Sequence, residues 1–215
     1  YPYLFREFGL ASVNRSLNIA VFGSGRGSNL QAILTAMQQG DIPDATIRVV
    51  ISNNSTAGIL EIARVNGIPT EHIGEKRFSN EGDFVQHLLA TLRGHEINFV
   101  VLAGYMKRIP QRIIGEFRNR IINIHPALLP KFGGCGMYGM RVHEAVIAAR
   151  EKFSGATVHV VDEEYDRGAV VLQEKVTVSP DDTAITLAAK VLKIEHELYP
   201  EAIKLIAEGK LTLSW

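Results

Sequence analysis

From Leu17 to His125 the chain repeats one pattern, in which a short run of β-branched and aliphatic residues is followed by a segment with helical periodicity. This alternation predicts a parallel sheet with helices on both faces, because each strand returns to the same edge of the sheet through a crossover helix. We expect strands at 17–23, 46–52, 97–104 and 120–125, and a weaker one at 68–74. Helices are expected at 28–40, 57–67, 83–94 and 110–117.

After Pro126 the pattern changes to a glycine-rich loop, a short helix at 143–150 and two alternating strands at 155–162 and 169–178. These strands flank a tight turn, as an antiparallel pair does. A long helix from Asp181 to about Gly209 follows, and either Asp181 or Asp182 is its expected N-cap. The predicted fold class is α/β, a doubly wound Rossmann-like sheet that is mainly parallel with an antiparallel C-terminal strand pair.

The first 16 residues show neither a strand nor a helix period and do not begin with methionine. We expect residues 1–16 to be an N-terminal extension or a cloning remnant. Residues 17–215 are expected to form a single domain.

Composition excludes several classes of protein. With 215 residues, 46% of them hydrophobic, the chain is not of the disordered type. Its 23 basic and 23 acidic residues leave no net field for a polyanion, which disfavours nucleic acid. No apolar run reaches the roughly 18 residues of a membrane span, and a single cysteine, Cys135, fits a reducing compartment. We expect a cytoplasmic protein, monomeric or homodimeric, with small-molecule substrates.

The glycines of the segment GSGRGSNL fall at positions 23, 25 and 27, directly after the first strand and before the first helix. This spacing fits neither the dinucleotide fingerprint nor a P-loop. Backbone N–H groups at a helix start bind anions, so Gly27, Ser28 and Asn29 are the candidate phosphate ligands through their N–H groups and side chains. A tight turn with Ser28 as an ordinary helix cap explains the segment equally well.

Asn123 and His125 lie two residues apart at the end of the fifth strand and therefore project to the same side. Open α/β sheets place their sites at this edge. An asparagine N–H can stabilise an oxyanion, and histidine exchanges a proton near neutral pH. A catalytic pair is the preferred interpretation.

A catalytic histidine needs an orienting carboxylate, and the turn between the last two strands offers Asp162, Glu163, Glu164 and Asp166. Spacing alone does not choose among them. His159, on the strand before this turn, is another candidate pocket residue, although a structural role is favoured for it. The seven histidines show no metal-ligand spacing, so no metal is expected.

Four segments, FGSGRGSNL, LAGYMKRI, IINIHPALLPKF and GATVHVVDEEYDRGAVVLQ, resemble in this order the phosphoribosylglycinamide formyltransferases over residues 18 to about 212. This resemblance selects Asp166 and implies a catalytic set of Asn123, His125 and Asp166. It further implies that Gly27, Ser28 and Asn29 bind the ribotide phosphate, and that Glu195 binds the glycinamide end.

The resemblance also implies a folate pocket. Its expected lining is Met106, Lys107, Arg108, Ile109, Val160, Asp162 and Tyr165. Lys107 departs from the family pattern, which has arginine directly after the methionine, so a guanidinium contact to the folate tail does not transfer. The loop after Phe132 is longer than in many relatives, and His143 is only a weak candidate.

The implied reaction is direct transfer of the formyl group of 10-formyltetrahydrofolate, the cosubstrate, to the amine of 5-phosphoribosylglycinamide in purine biosynthesis. Asn123 and His125 would stabilise the oxyanion, and Asp166 would raise the pKa of His125. Alternatives are a formyltetrahydrofolate deformylase, which would need a further N-terminal domain, and a non-catalytic ribotide-binding protein. A methionyl-tRNA formyltransferase would need an added C-terminal domain.

Overall fold

A computed structural model describes residues 16–211 and 213 of the chain. Seven strands form one sheet in the order β3-β2-β1-β4-β5-β6-β7. Their bounds are β1 Leu17–Phe22, β2 Ala45–Ser52, β3 Thr70–His72, β4 Phe99–Leu102, β5 Ile121–His125, β6 Phe153–Val160 and β7 Val170–Thr177. The first five strands are parallel, whereas β6 runs antiparallel to both β5 and β7. The predicted fold class is confirmed.

Helices cover both faces of the sheet. They are α1 Ser28–Gln38, α2 Gly58–Val65, α3 Glu81–Gly94, α4 Gln111–Glu116, α5 Met140–Ala148 and α6 Ala184–Ala207, with a 3₁₀ turn at Glu75–Arg77. As predicted, Leu30, Ile33 and Leu34 of α1 are buried, while Met37 is half-buried at the edge of the core. Among the described residues no helix has the length and apolar character that crossing a membrane requires.

The N-terminus of α6 corrects a prediction. Thr183, and neither Asp181 nor Asp182, is the N-cap: its hydroxyl accepts from the Thr186 N–H, while the Thr186 hydroxyl accepts from the Thr183 N–H. This reciprocal capping box satisfies two helix-end donors at once, which a single carboxylate does not do. Asp182 instead forms an ion pair with Lys190 at 2.6 Å.

The C-terminal edge of the sheet brings the ends of β1, β4 and β5 side by side. Tyr199 of α6 is fully buried, and its hydroxyl lies 2.9 Å from the Leu102 carbonyl and 3.1 Å from the Ile122 carbonyl. Because these carbonyls belong to neighbouring strands, Tyr199 anchors α6 to the strand ends. The residue that follows Ile122 is Asn123, so α6 supports the edge at which the candidate site lies.

Candidate active site

Asn123 and His125 project from β5 toward the adjacent strand β6. The antiparallel register places Asn123 opposite His159 and His125 opposite Thr157. The Asn123 amide nitrogen lies 3.1 Å from His159 Nε2. His125 is 4% exposed and His159 is 2% exposed, so both rings are withdrawn from bulk water.

Asp166 joins the two histidines. Its Oδ2 lies 3.7 Å from His125 Nδ1, and its Oδ1 lies 3.5 Å from His159 Nε2. The Asp166 backbone has a φ of 55°, a left-handed conformation that aspartate tolerates in turns. One carboxylate thus faces two imidazoles, and Asn123, His125, His159 and Asp166 form one connected group, which we call the polar cluster.

The glycine-rich loop after Phe132 closes over the polar cluster through two backbone contacts. His125 Nε2 donates to the Phe132 carbonyl at 2.8 Å, and the Gly134 N–H donates to Asp166 Oδ2 at 2.9 Å. A Cβ on Gly133 would lie 3.0 Å from the Asp166 Cβ and 2.5 Å from a Leu129 methyl. Glycine at 133 therefore allows the loop to pass this close to the carboxylate.

In the polar cluster, burial and the charge of Asp166 act on the pKa of His125 in opposite directions. Burial lowers the pKa of His125, and this outweighs the nearby Asp166 carboxylate, which acts to raise it. Burial alone would raise the pKa of Asp166, but the contacts with His159, His125 and the Gly134 N–H together lower it. The resting cluster therefore combines an ionised Asp166 with a His125 whose protonation is disfavoured. Asp166 acts to raise the pKa of His125, as predicted, but burial has the larger effect, so the pKa of His125 is lowered overall.

His143 on α5 is also close to this group. It is 5% exposed, and its Nδ1 is buried with no hydrogen-bond partner. Burial and the proximity of His125 lower its pKa.

The glycine loop before α1 has the geometry of an anion site. Gly27 is the N-cap of α1 with a φ of 86°, and no side chain caps the helix. The alternative in which Ser28 is an ordinary cap is therefore wrong. A Cβ on Gly27 would lie 2.7 Å from the Ile59 Cα, so glycine is needed both for the left-handed turn and for the close approach of α2. The first N–H groups of α1, from Ser28 onward, have no intrahelical acceptor.

The Asn29 side chain contacts Glu195 of α6. Its side chain is buried, and its amide donates to Glu195 Oε2 at 2.8 Å. One hydrogen of the Asn29 amide is thus bonded to Glu195, while the Asn29 Oδ1 is buried with no hydrogen-bond partner. Burial raises the pKa of Glu195, and the Asn29 hydrogen bond acts against this rise.

The residues implied for folate binding lie on two neighbouring loops, 104–109 and 161–165, and at Val160, the last residue of β6. Arg108 connects these loops: its Nη2 donates to the Glu163 carbonyl at 3.0 Å, and its guanidinium lies 5.5 Å from the centre of the Tyr165 ring. Met106, Lys107 and Tyr165 are exposed, Asp162 is half-buried, and Ile109 and Val160 are buried.

The Met106 N–H donates to the Ser24 hydroxyl at 2.9 Å, and this hydroxyl in turn donates to Asn53. The loop 104–109 is thereby tied to the glycine loop. Sequence reasoning missed Ser24 as a residue of this edge, and its position within the glycine motif is the signal that could have found it.

The polar cluster and the glycine loop occupy the same sheet edge, but a wide groove in the described part of the chain lies elsewhere. It has a volume of about 970 Å³ and runs between α1 and α6 from Ser28 past His196 to Lys204. This groove reaches the start of α1 and does not include the polar cluster. Among residues 16–211 and 213, no group of three or more histidine, cysteine or acidic residues is placed to hold a metal ion.

An asparagine and a histidine at a strand end of a Rossmann-like sheet, an aspartate in the turn after β6 and a loop suited to phosphate are features that acyl-transferring enzymes use. The chain belongs to the formyl transferase family, whose model, described as "Formyl transferase", matches residues 17–203. The resemblance found in the sequence motifs is thus confirmed.

Individual relatives show which members of the formyl transferase family this chain is similar to. A chloroplastic phosphoribosylglycinamide formyltransferase from Vigna unguiculata is 45% identical over 92% of this chain, which spans only 63% of that relative's length. The phosphoribosylglycinamide formyltransferase of Haemophilus influenzae is 40% identical, over 91% of this chain and 89% of its own. The crystal structure of glycinamide ribonucleotide transformylase 1 from Symbiobacterium toebii has a TM-score of 0.86 at 36% identity and covers 97% of this chain and 95% of its own.

Proposed function

We propose that the chain acts as a phosphoribosylglycinamide formyltransferase, which transfers the formyl group of 10-formyltetrahydrofolate to the amine of 5-phosphoribosylglycinamide. The observation that carries this proposal is the polar cluster, in which the strand-end Asn123 and His125 meet Asp166 beside a glycine loop suited to a phosphate. The names of the relatives given above support the choice of formyl acceptor, because each name contains the glycinamide ribotide.

The reaction joins the amine nitrogen of the ribotide to the formyl carbon and breaks the bond from that carbon to the folate nitrogen. In the tetrahedral intermediate the formyl oxygen carries negative charge, which an Asn123 N–H stabilises. The attacking amine loses a proton and the departing folate nitrogen gains one. His125 and Asp166 carry this proton, and the lowered pKa of His125 suits a neutral imidazole that accepts it.

The ribotide lies along the sheet edge between the glycine loop and the polar cluster. Its phosphate accepts hydrogen bonds from the N–H groups of Gly27, Ser28 and Asn29 at the positive end of α1. Glu195, whose carboxylate accepts from the Asn29 amide, contacts the glycinamide end of the ribotide.

The folate lies across the loops 104–109 and 161–165. Met106, Lys107, Arg108 and Tyr165 offer side chains to it, while the buried Ile109 and Val160 and the half-buried Asp162 form the base of the pocket. Lys107 provides a point charge for a carboxylate of the folate tail rather than a planar guanidinium.

The reaction as written needs no metal, since the amine of the ribotide is itself the nucleophile. We place the reaction in a cytoplasmic, small-molecule setting without nucleic acid or membrane, for a monomer or a homodimer.

The test is to incubate the purified protein with 5-phosphoribosylglycinamide and 10-formyltetrahydrofolate and follow the folate absorbance. We expect turnover that requires the ribotide and is lost in His125→Ala. Folate breakdown without ribotide would indicate a deformylase instead. Ribotide binding without turnover would indicate a non-catalytic binding protein.

A further inference from the structure

Ser24 joins three neighbouring strand ends. It lies two residues after β1, and β1 lies between β2 and β4 in the sheet. The Ser24 hydroxyl donates to Asn53 Oδ1, just after β2, at 2.5 Å, and accepts from the Met106 N–H, in the loop after β4, at 2.9 Å. The Ser24 backbone N–H also donates to the Gly104 carbonyl at 3.0 Å. One residue of the glycine loop therefore contacts the loop 104–109 twice.

The bond to Asn53 fixes the direction of the Ser24 hydroxyl. A serine hydroxyl carries a single hydrogen and two lone pairs. Because Asn53 Oδ1 accepts that hydrogen, only lone pairs remain to face the Met106 N–H. The hydroxyl therefore holds the Met106 N–H in one place, at the start of the segment that is implied for folate binding.

The two loops that Ser24 joins have different tasks. The glycine loop, 23–29, leads into the start of α1, where no side chain caps the helix and to which the ribotide phosphate is assigned. The loop 104–109 carries Met106, Lys107 and Arg108, which are assigned to the folate. These three residues are exposed. Because packing in the core does not fix their position, hydrogen bonds to the loop have the larger part in doing so.

We propose that Ser24 is a positioning residue that couples the two substrate sites through its hydrogen bond to Met106. A phosphate bound at the loop 23–29 restrains Ser24, and the Ser24 hydroxyl then holds the loop 104–109 in the shape that the folate binds. This inference rests on the proposed formyl transfer, which assigns one substrate to each loop. Because coupling between two binding sites is reciprocal, each substrate strengthens the binding of the other by the same factor.

The coupling is measured without catalysis by using tetrahydrofolate, which has no formyl group to transfer. Isothermal titration calorimetry gives the Kd of tetrahydrofolate with and without saturating 5-phosphoribosylglycinamide. In the wild-type protein we expect the ribotide to lower this Kd by about fivefold or more, a factor typical of coupled sites. In Ser24→Ala the factor should fall below about twofold, while the Kd of each ligand alone changes by less than about twofold. A merely structural role would instead change the Kd of each ligand alone.

Two further variants separate the Ser24 hydroxyl from other effects. Ser24→Thr keeps a hydroxyl at this position and should retain the coupling. Ser55→Ala is the matched control, because it removes an exposed serine hydroxyl two residues after Asn53 and should leave the coupling unchanged. The proposal is overturned if the wild-type protein shows no coupling or if Ser24→Ala keeps it. It is equally overturned if Ser24→Thr loses the coupling as Ser24→Ala does, since the hydroxyl would then not be the required feature.

Amide hydrogen exchange, followed by NMR, gives a readout independent of affinity. In the wild-type protein the Met106 N–H should exchange more slowly when the ribotide is bound, whereas in Ser24→Ala the ribotide should leave its exchange rate unchanged. An unchanged rate in the wild-type protein with the ribotide bound would overturn the coupling. Failure of the wild-type protein to bind the ribotide or tetrahydrofolate would refute the proposed function itself. Binding of both ligands without coupling would overturn only the role of Ser24.

Discussion

The glycine loop and the polar cluster lie at the same sheet edge but are built in opposite ways. The loop is one continuous stretch, 23–29, that presents the first backbone N–H groups of α1, and its shape depends on Gly27. The polar cluster presents side chains from β5, from β6 and from the turn after β6, which meet only because β6 runs antiparallel to β5. A phosphate site can thus be local in sequence, whereas a site that moves protons needs distant side chains at set distances.

The two regions should also respond differently to substitution of an asparagine. In the polar cluster, Asn123→Ala removes the donor to the oxyanion, and we expect kcat to fall by about a hundred- to a thousandfold with the fold intact. Asn18→Ala is the control, since it removes an amide that bonds to the Glu96 carbonyl near the start of β1. A folded Asn123→Ala protein with near-normal turnover would exclude Asn123 from the reaction.

In the glycine loop, Asn29→Ala leaves the buried Glu195 without its amide partner. We expect a loss of about 1–3 kcal/mol in the free energy of unfolding, measured by urea denaturation. Gln31→Ala, at an exposed position of the same helix, should change stability little. If Asn29→Ala instead weakens ribotide binding with stability unchanged, the side chain faces the ligand as the sequence alone predicted.

The pH dependence of stability should have opposite signs in the two regions. Burial lowers the pKa of His125 and His143 below 6.5, so the unfolded chain binds protons that the folded chain does not. Stability from this cause is present above pH 6.5 and is lost as the pH falls through the lowered pKa values. His143→Gln should flatten this acid-side loss in urea titrations, and an unchanged slope would contradict the lowered pKa of His143.

Glu195 gives the opposite trend. Burial raises its pKa above 4.5, so the folded chain binds the extra proton, and stability from this cause is lost as the pH rises through the raised pKa. Asn29→Ala should steepen this loss, because the Asn29 hydrogen bond acts against the rise. Comparing the variant with wild type at pH 5 and pH 8 measures the effect. A loss of equal size at both pH values would contradict it.

The smallest expected effect is on folate binding, at the loops that lie outside both the glycine loop and the polar cluster. Arg108→Met removes the contacts to Tyr165 and to the Glu163 carbonyl, and an exposed cation–π contact contributes about 0.5–1 kcal/mol. We expect KM for the folate to rise by about two- to fivefold with KM for the ribotide unchanged. Arg118→Met is the control, since Arg118 pairs with the Glu163 carboxylate. Equal effects of both variants would show that only the Glu163 loop matters.

Most of the fold could be predicted from periodicity. The parallel strands, their crossover helices and the antiparallel pair after Pro126 agree with the pattern, because alternating burial leaves its period in the residues themselves. The exception is the N-cap of α6, which is Thr183 rather than Asp181 or Asp182. Three polar residues in a row can each cap a helix, and the reciprocal bonding of Thr183 and Thr186 decides which one does so.

The candidate site was predictable where its chemistry is local. The glycine loop and the pair of Asn123 and His125 follow from backbone conformation and from the two-residue strand period, which neighbouring residues determine. The partner of each side chain was not predictable. Asn123 meets His159, 36 positions away, and the Asn29 amide turns to Glu195, 166 positions away. Such pairings depend on strand register and helix packing, because the free energy that selects them comes from burying whole segments together rather than from either segment alone.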